Sequence, residues 1–386
     1  MRRSAERILT THVGALPGPV EAWTEDVPRD ELQAIVQDVV AKQRAAGIDI
    51  VNEGEWAKGG SFIDYFASRL SGFEPADPSS MASAFSQNAD WLAFPDFYTK
   101  ALEAGTLFEQ TRSTAVQTIN TRVVGRVCKG PIRYTGQAAL VQQMDLLRSA
   151  LGDGQTSDAF LTTTSPACIE FGRTNEFYRN EEEFVFAIAD AMKTEYEMIA
   201  AAGFIVHVDD PWLAALWESL GLKIGLDAYK KHWRMRIEAL NHALANIPEE
   251  QIRFHVCWGS WHGPHAYDIP LADIVDLMLA IKAQAYLFEA ANARHEHEHA
   301  LWEAVRLPEG KILAPGVVTH STPLIEHPVL VSQRIQRFAK LVGPENVIAS
   351  TDCGLGLRCH PQIAWAKLKA LADGAALASR ELGYRA

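Results

Sequence analysis

Cysteine is scarce in this 386-residue chain, which holds five, Cys128, Cys168, Cys257, Cys353 and Cys359. An odd, scattered set argues against a disulfide framework and fits a reducing compartment. No run of about 18 apolar residues occurs, so no bilayer-spanning helix is expected. The basic start Met1-Arg2-Arg3 leads into no apolar stretch of signal-peptide type, and a cytoplasmic location is expected. Positive charge is in deficit, with 36 Lys+Arg against 48 Asp+Glu and a formal net charge of −12. With no Lys/Arg-rich stretch and no arginine–aromatic stripe, nucleic acid is not an expected partner. What is present is an ordinary apolar fraction of 48% with 22% charged residues, enough for a core that needs no staples.

Short β-branched or apolar runs alternate with long helical patterns. The candidate strands are Ile8–Ala15, Ile48–Glu53, Phe160–Thr164, Phe204–Val208, Arg253–Cys257, Ala285–Phe288, Ile312–Val318 and Asn346–Ser350. Between them lie candidate helices Arg29–Ala46, Glu181–Ala202, Asp227–Asn246, Pro270–Lys282, Pro328–Leu341 and Pro361–Leu382. In Arg29–Ala46, Leu32, Ile35, Val36, Val39 and Val40 recur at helical spacing. Gly47 and Gly203 stand between a helix and an apolar strand, the expected place for a helix C-cap. Eight strands, most followed by a helix, predict an α/β fold, a single (β/α)8 TIM-type barrel over residues 1–386. Residues 73–154 break the pattern. They are rich in Ser, Pro and Ala early, then strand-like around Ile119–Val127 and Ile132–Thr135, and are expected to be an inserted excursion over the barrel mouth. Gly59-Gly60-Ser61 lacks the lysine of a phosphate loop and reads as a turn.

In such a barrel the chemistry sits at the C-terminal ends of the strands. Those ends are His12-Val13-Gly14, Glu53-Gly54-Glu55, Asp209-Asp210-Pro211, His255-Val256-Cys257, Glu289, His320 and Asp352-Cys353-Gly354. His255 and Cys257 are two apart on a strand and so share a face. Glu289 and Cys353 end later strands. Two thiolates, an imidazole and a carboxylate suit tetrahedral Zn²⁺. A lone His-x-Cys is more often a buried histidine beside a core cysteine. The two further ligand types at strand ends bring the metal reading level with that alternative.

Taken in order, Thr10-Thr11-His12-Val13-Gly14, Glu53-Gly54-Glu55, Val208-Asp209-Asp210-Pro211, His255-Val256-Cys257, Phe288-Glu289, Pro315 to His320 and Thr351 to Leu355 resemble the catalytic domain of cobalamin-independent methionine synthases. The match runs over nearly the whole chain. The resemblance implies zinc on His255, Cys257, Glu289 and Cys353, with Glu55 and Asp209 on the amino group of a homocysteine-like acceptor. It further implies substrate contacts at His12 and Gly14 and a proton donor at His320. Asp210 is a further candidate for a cationic amine or for orienting the leaving group. The implied activity is zinc-dependent methylation of a small thiol by an alkyl donor. The sequence leaves a homo-oligomer open.

Three departures from the family pattern bear on the substrates. Glycine 172 stands where folate users carry a pterin-contacting tryptophan, Ala15 where they carry a homocysteine-binding serine, and Glu53 where they carry histidine. The loop after Cys257 is enlarged, and Trp258 and Trp261 are candidates to roof a substrate or to pack the loop down. Short single-barrel epoxyalkane:coenzyme M transferases are similar in their zinc signature and offer an alternative, epoxide opening by a zinc thiolate. A uroporphyrinogen decarboxylase-type barrel would leave the His and Cys ligands without a purpose. A non-catalytic barrel with structural zinc would leave the surrounding acids surplus. The His295–His299 cluster, Cys359, His360, Cys168 and Cys128 are read as structural.

Overall fold

Seven parallel strands form one curved sheet: β1 (Leu9–Thr10), β4 (Phe160–Thr164), β6 (Ile205–Asp210), β7 (Ile252–Val256), β8 (Ala285–Phe288), β9 (Ile312–Val318) and β10 (Ile348–Thr351). Their order is β1-β10-β9-β8-β7-β6-β4. The structure, a computed structural model, describes residues 1–19, 27–56, 58, 62–76, 88–107 and 125–384. The two sheet edges are joined by residues 49–51. The Ile50 N–H donates to the Thr10 carbonyl at 3.1 Å, and the Phe160 N–H donates to the Val51 carbonyl at 2.9 Å. Val51 makes a parallel bridge to Ala159. The expected strand Ile48–Glu53 thus takes the eighth place, reduced to a single bridge. It is confined by a left-handed Gly47 before it and left-handed Gly54 and Glu55 after it. Gly59-Gly60-Ser61 lies outside the described residues.

Strand alternation sorts side chains between the bore and the helix layer. Leu9, Ile50, Phe160, Ile205, Ala285, Leu287, Ile312, Ala314 and Ile348 form one buried cluster inside the barrel. The opposite faces pack under the helices. Helix Arg29–Ala46 buries Leu32, Val36, Val39, Val40 and Gln43 and ends on the left-handed Gly47. Helix Glu181–Ala201 is capped by the Asn180 side chain, which accepts from the Glu183 N–H, with acids filling its first turn where the helix dipole favours them. The helices Leu226–Ala243, Leu271–Ala280, Pro328–Val342 and Pro361–Glu381 match the sequence pattern to within a few residues.

A second sheet of three strands joins β2 (Phe73–Pro75), β3 (Arg126–Cys128) and β5 (Arg173–Asn175). β2 pairs antiparallel with β3, and β3 pairs parallel with β5. The stretch 73–154 is therefore stitched to the segment that follows β4. Its last part, helix Gln137–Leu151, packs on Arg29–Ala46 as a member of the barrel's helix layer. Residues 119–124 of the expected strand-like pair lie outside the described residues, and Tyr134 of its second half bridges Leu70. Among the described residues no helix is long and apolar enough to cross a membrane.

Candidate metal centre

The upper bore is polar because inward positions near the strand ends carry His255 on β7 with Cys257 just after it, Asp209 on β6 and Asp352 after β10. The Cys257 and Cys353 sulfurs lie 3.8 Å apart. Ligand atoms of Asp209, His255 and Cys257 fall within 4.8 Å of one another. In the register, Asp209 stands beside His255. His255 Nδ1 donates to Asp209 Oδ1 at 2.7 Å and Nε2 to the Asp352 carbonyl at 3.0 Å. Burial pulls the His255 pKa down, but Asp209 and Cys353 outweigh it and raise it to about 9. Without a metal this imidazole is a cation with both nitrogens donating. Contact with Cys353 and burial raise the Cys257 thiol pKa. The Gly259 N–H donates to the Cys257 sulfur at 3.3 Å, a bond that strengthens when the sulfur is charged.

Glu289 stands one step outside this group. Its Oε1 accepts from the Trp258 N–H at 3.3 Å and its Oε2 from Asn292 Nδ2 at 2.6 Å. Burial and the neighbouring Asp352 push its pKa up to about 7. Asp352 Oδ1 accepts from the Ala290 and Ala291 N–H groups at 2.8 and 2.9 Å, so it fixes the backbone beyond Glu289. Gly316 makes room for it, since a Cβ there would lie 2.0 Å from Asp352 Oδ1.

Across the mouth, Glu55 occupies a left-handed backbone position at φ 67°, a conformation that costs energy in a non-glycine residue. Its Oε1 packs onto Gly14, where a Cβ would lie 2.2 Å away. Burial raises the Glu55 pKa, opposed by Lys58, whose Nζ is 3.5 Å from Oε1 and 3.8 Å from Glu53. Glu53 also accepts from Gln143 Nε2 at 2.6 Å. Lys58 thus partly offsets the charge of both acids. His12 ties its loop to a helix, with Nε2 at 2.8 Å from Gln43 Oε1. Burial drops the His12 pKa to about 3, so it is neutral.

Asp210 is turned to a different task. It accepts from the Ser165 hydroxyl at 2.5 Å and from the Trp212 and Leu213 N–H groups at 2.9 and 3.2 Å, capping the turn after β6. Trp258 donates its indole N–H to the Ile269 carbonyl at 2.8 Å and packs its ring on His295. Trp261 donates to the Tyr98 hydroxyl at 3.2 Å and stacks on His265. Both indoles therefore fasten the enlarged loop. His320 follows β9, where burial and the facing His262, Arg358, His265 and His255 hold its pKa well below the usual histidine value. Phe171, beside Gly172, stacks face to face on Trp212 with ring centroids 3.7 Å apart.

Three contributors escaped the sequence reading, Lys58, Asn292 and Arg253, while Asp352 was read at its strand end without a role. Arg253 had a usable signal, lying two residues before His255 on the same strand face.

A parallel barrel with sulfur, imidazole and carboxylate donors gathered at the C-terminal strand ends defines an enzyme active site. Residues 98–376 match the cobalamin-independent synthase catalytic domain, and the chain belongs to that family. A methionine synthase from Saccharolobus solfataricus is 25% identical over 305 residues, covering 75% of this chain and 83% of the relative. A 2-hydroxypropyl-CoM lyase from Xanthobacter autotrophicus is 25% identical over 423 residues, covering 97% of this chain and 96% of the relative. A B12-independent methionine synthase from a Shewanella species superposes with a TM-score of 0.70 at 17% identity, covering 97% of this chain and 99% of that one. That likeness shows the barrel fold.

Proposed function

We propose that the protein is a zinc-dependent transferase that methylates a small thiol, with His255, Cys257, Glu289 and Cys353 as zinc ligands. The observation that carries this reading is the sulfur pair. Two Zn–S bonds of about 2.3 Å at a tetrahedral angle separate their sulfurs by about 3.8 Å, and Cys257 and Cys353 are 3.8 Å apart. Zinc bound there would favour the thiolate form of a substrate thiol, the nucleophilic form.

The chain's own residues do the rest. Asp209 accepts from His255 Nδ1, fixing the ring as a carboxylate does behind a metal-bound histidine. Asn292 holds Glu289 at 2.6 Å and restricts its swing. Glu55 and Asp209 present carboxylates to the ammonium group of an aminothiol such as homocysteine. His320, whose pKa is held well below the usual histidine value, is a strong acid when protonated and is suited to give a proton to the leaving group. Buried walls exclude water from the sulfur.

Epoxide opening is the second reading, and one contact favours it. The Phe171 face beside Gly172 is already covered by Trp212, which suits a small alkyl donor better than a planar one. The full-length match to the 2-hydroxypropyl-CoM lyase accords with this. Incubating zinc-loaded protein and homocysteine with a methyl-folate, or with a short epoxide, separates the two readings by the mass of the S-alkyl product. No product from either donor, with zinc already closed by four protein ligands, would favour a structural metal.

A further inference from the structure

Arg253 is fully buried inside the bore, and none of its described hydrogen-bond partners is a carboxylate. It lies two residues before His255, hence on the same inward face and about 7 Å below it. In the ring of strands β7 and β1 are opposite each other. The guanidinium crosses between them: Nη1 donates to Thr11 Oγ1 and Nη2 to the His12 carbonyl, each at 2.8 Å. Nε donates to His207 Nδ1 on β6 at 2.6 Å, and the group lies 3.4 Å from the Phe160 ring centre on β4. Burial pushes the Arg253 pKa down and the Glu55 carboxylate only opposes it; burying such a cation costs several kcal/mol, and an apolar side chain would fill the bore without that cost.

Two of the strands the guanidinium touches, β6 and β7, carry a site group at their next inward position. On β6, Asp209 follows His207 by two; on β7, His255 follows Arg253 by two. On the β1 side, Thr11 and His12 lead to Gly14, against which Glu55 rests. We infer that Arg253 is a positioning residue that fixes the span between the Cys257–Cys353 sulfur pair and the Glu55–Asp209 carboxylates. It thereby selects an acceptor by the distance between its thiol and its ammonium group. This inference rests on the thiol-transfer reading above.

The test is thiol binding to the cobalt(II)-substituted protein, followed by sulfur-to-cobalt charge-transfer absorption. The probes are homocysteine, cysteine (one methylene shorter) and 3-mercaptopropionate, which has no amine. Wild type should prefer homocysteine over cysteine by about tenfold, the worth of a methylene in a fixed site. R253M and T11V should keep one cobalt per chain and lose most of that preference, with 3-mercaptopropionate binding unchanged and R253K restoring part of it. T11V removes one of the grips without touching the buried charge, so it decides the matter if R253M does not fold. An unchanged preference in T11V and R253K, or a wild type that binds thiols without ranking them by length, overturns the inference alone. A wild type whose spectrum responds to no thiol overturns the thiol reading and this inference with it.

Discussion

Cys257 and Cys353 stand 96 residues apart in the chain, yet their sulfurs meet at 3.8 Å at the end of the barrel. Each follows a different strand, so only closure of the ring brings them together. Replacing either with alanine should lower metal affinity by about 100-fold or more, beyond the 10- to 100-fold expected of an outer carboxylate. Metal analysis of purified, metal-replete variants checks this, with circular dichroism as the folding control. A Cys353→Ala protein that holds a full equivalent of zinc removes that residue from the ligand set.

Asp209 should behave as an outer carboxylate for His255 and as a substrate contact. Asp209→Asn is expected to weaken metal binding by about 10- to 100-fold and to raise the acceptor KM. Glu55→Gln should raise the KM and leave the metal in place. Competition with a zinc chelator, alongside acceptor kinetics, separates the two effects.

Gly14→Ala tests the cradle beneath Glu55. The new Cβ would lie 2.2 Å from Glu55 Oε1, so the carboxylate must move. Overpacking of this kind costs about 1–3 kcal/mol, within what a domain of this size tolerates. The expected result is a folded, metal-binding protein with a much higher acceptor KM. Unchanged acceptor kinetics would detach Glu55 from the substrate.

Alkaline stability should report on the loop after Cys257. Asp268 accepts from His265 Nδ1 and His295 Nε2, each at 3.2 Å, and His295 also meets Glu298. Burial lowers both histidine pKa values, but these carboxylates prevail and raise them from 6.5 to about 9 and about 10. The native protein therefore keeps protons that the unfolded chain has released. The stabilisation is full below 6.5 and is lost as pH rises through about 9 and 10. Asp268→Asn should lower the melting temperature of the metal-free protein most below about pH 6.5, and the gap to wild type should narrow steadily above that and close above about pH 10. A gap that stays constant across that range would show that these histidines do not titrate as the geometry requires.

The periodic parts of this fold were open to sequence reading, and strand ends could be counted as a group. Ala285–Phe288 and Ile312–Val318 were bounded by their own apolar runs, and Arg29–Ala46 by its stripe and Gly47. The segment Ile48–Glu53 was harder, because its place in the ring depends on bonds to Thr10 and Phe160 rather than on its own alternation. In the site, residue type and position at a strand end pointed to His255, Cys257 and Asp209. They could not separate Asp209 from Asp210, adjacent acids that strand alternation sends to opposite faces, one to His255 and one to cap a turn. Nor could they reveal that Trp258 and Trp261 spend their N–H groups on the protein, since a tryptophan's partner is a tertiary fact. Lys58 and Asn292 each meet a site acid three residues away, Glu55 and Glu289, but outside a regular helix that spacing does not by itself announce a contact.

Zinc K-edge X-ray absorption on metal-replete protein, with and without homocysteine, reads thiol activation at the Cys257–Cys353 pair. Thiol activation on zinc requires two sulfur ligands at about 2.3 Å in the resting protein and three once the thiol is added. An absence of zinc, or a sulfur count that no thiol changes, would contradict it.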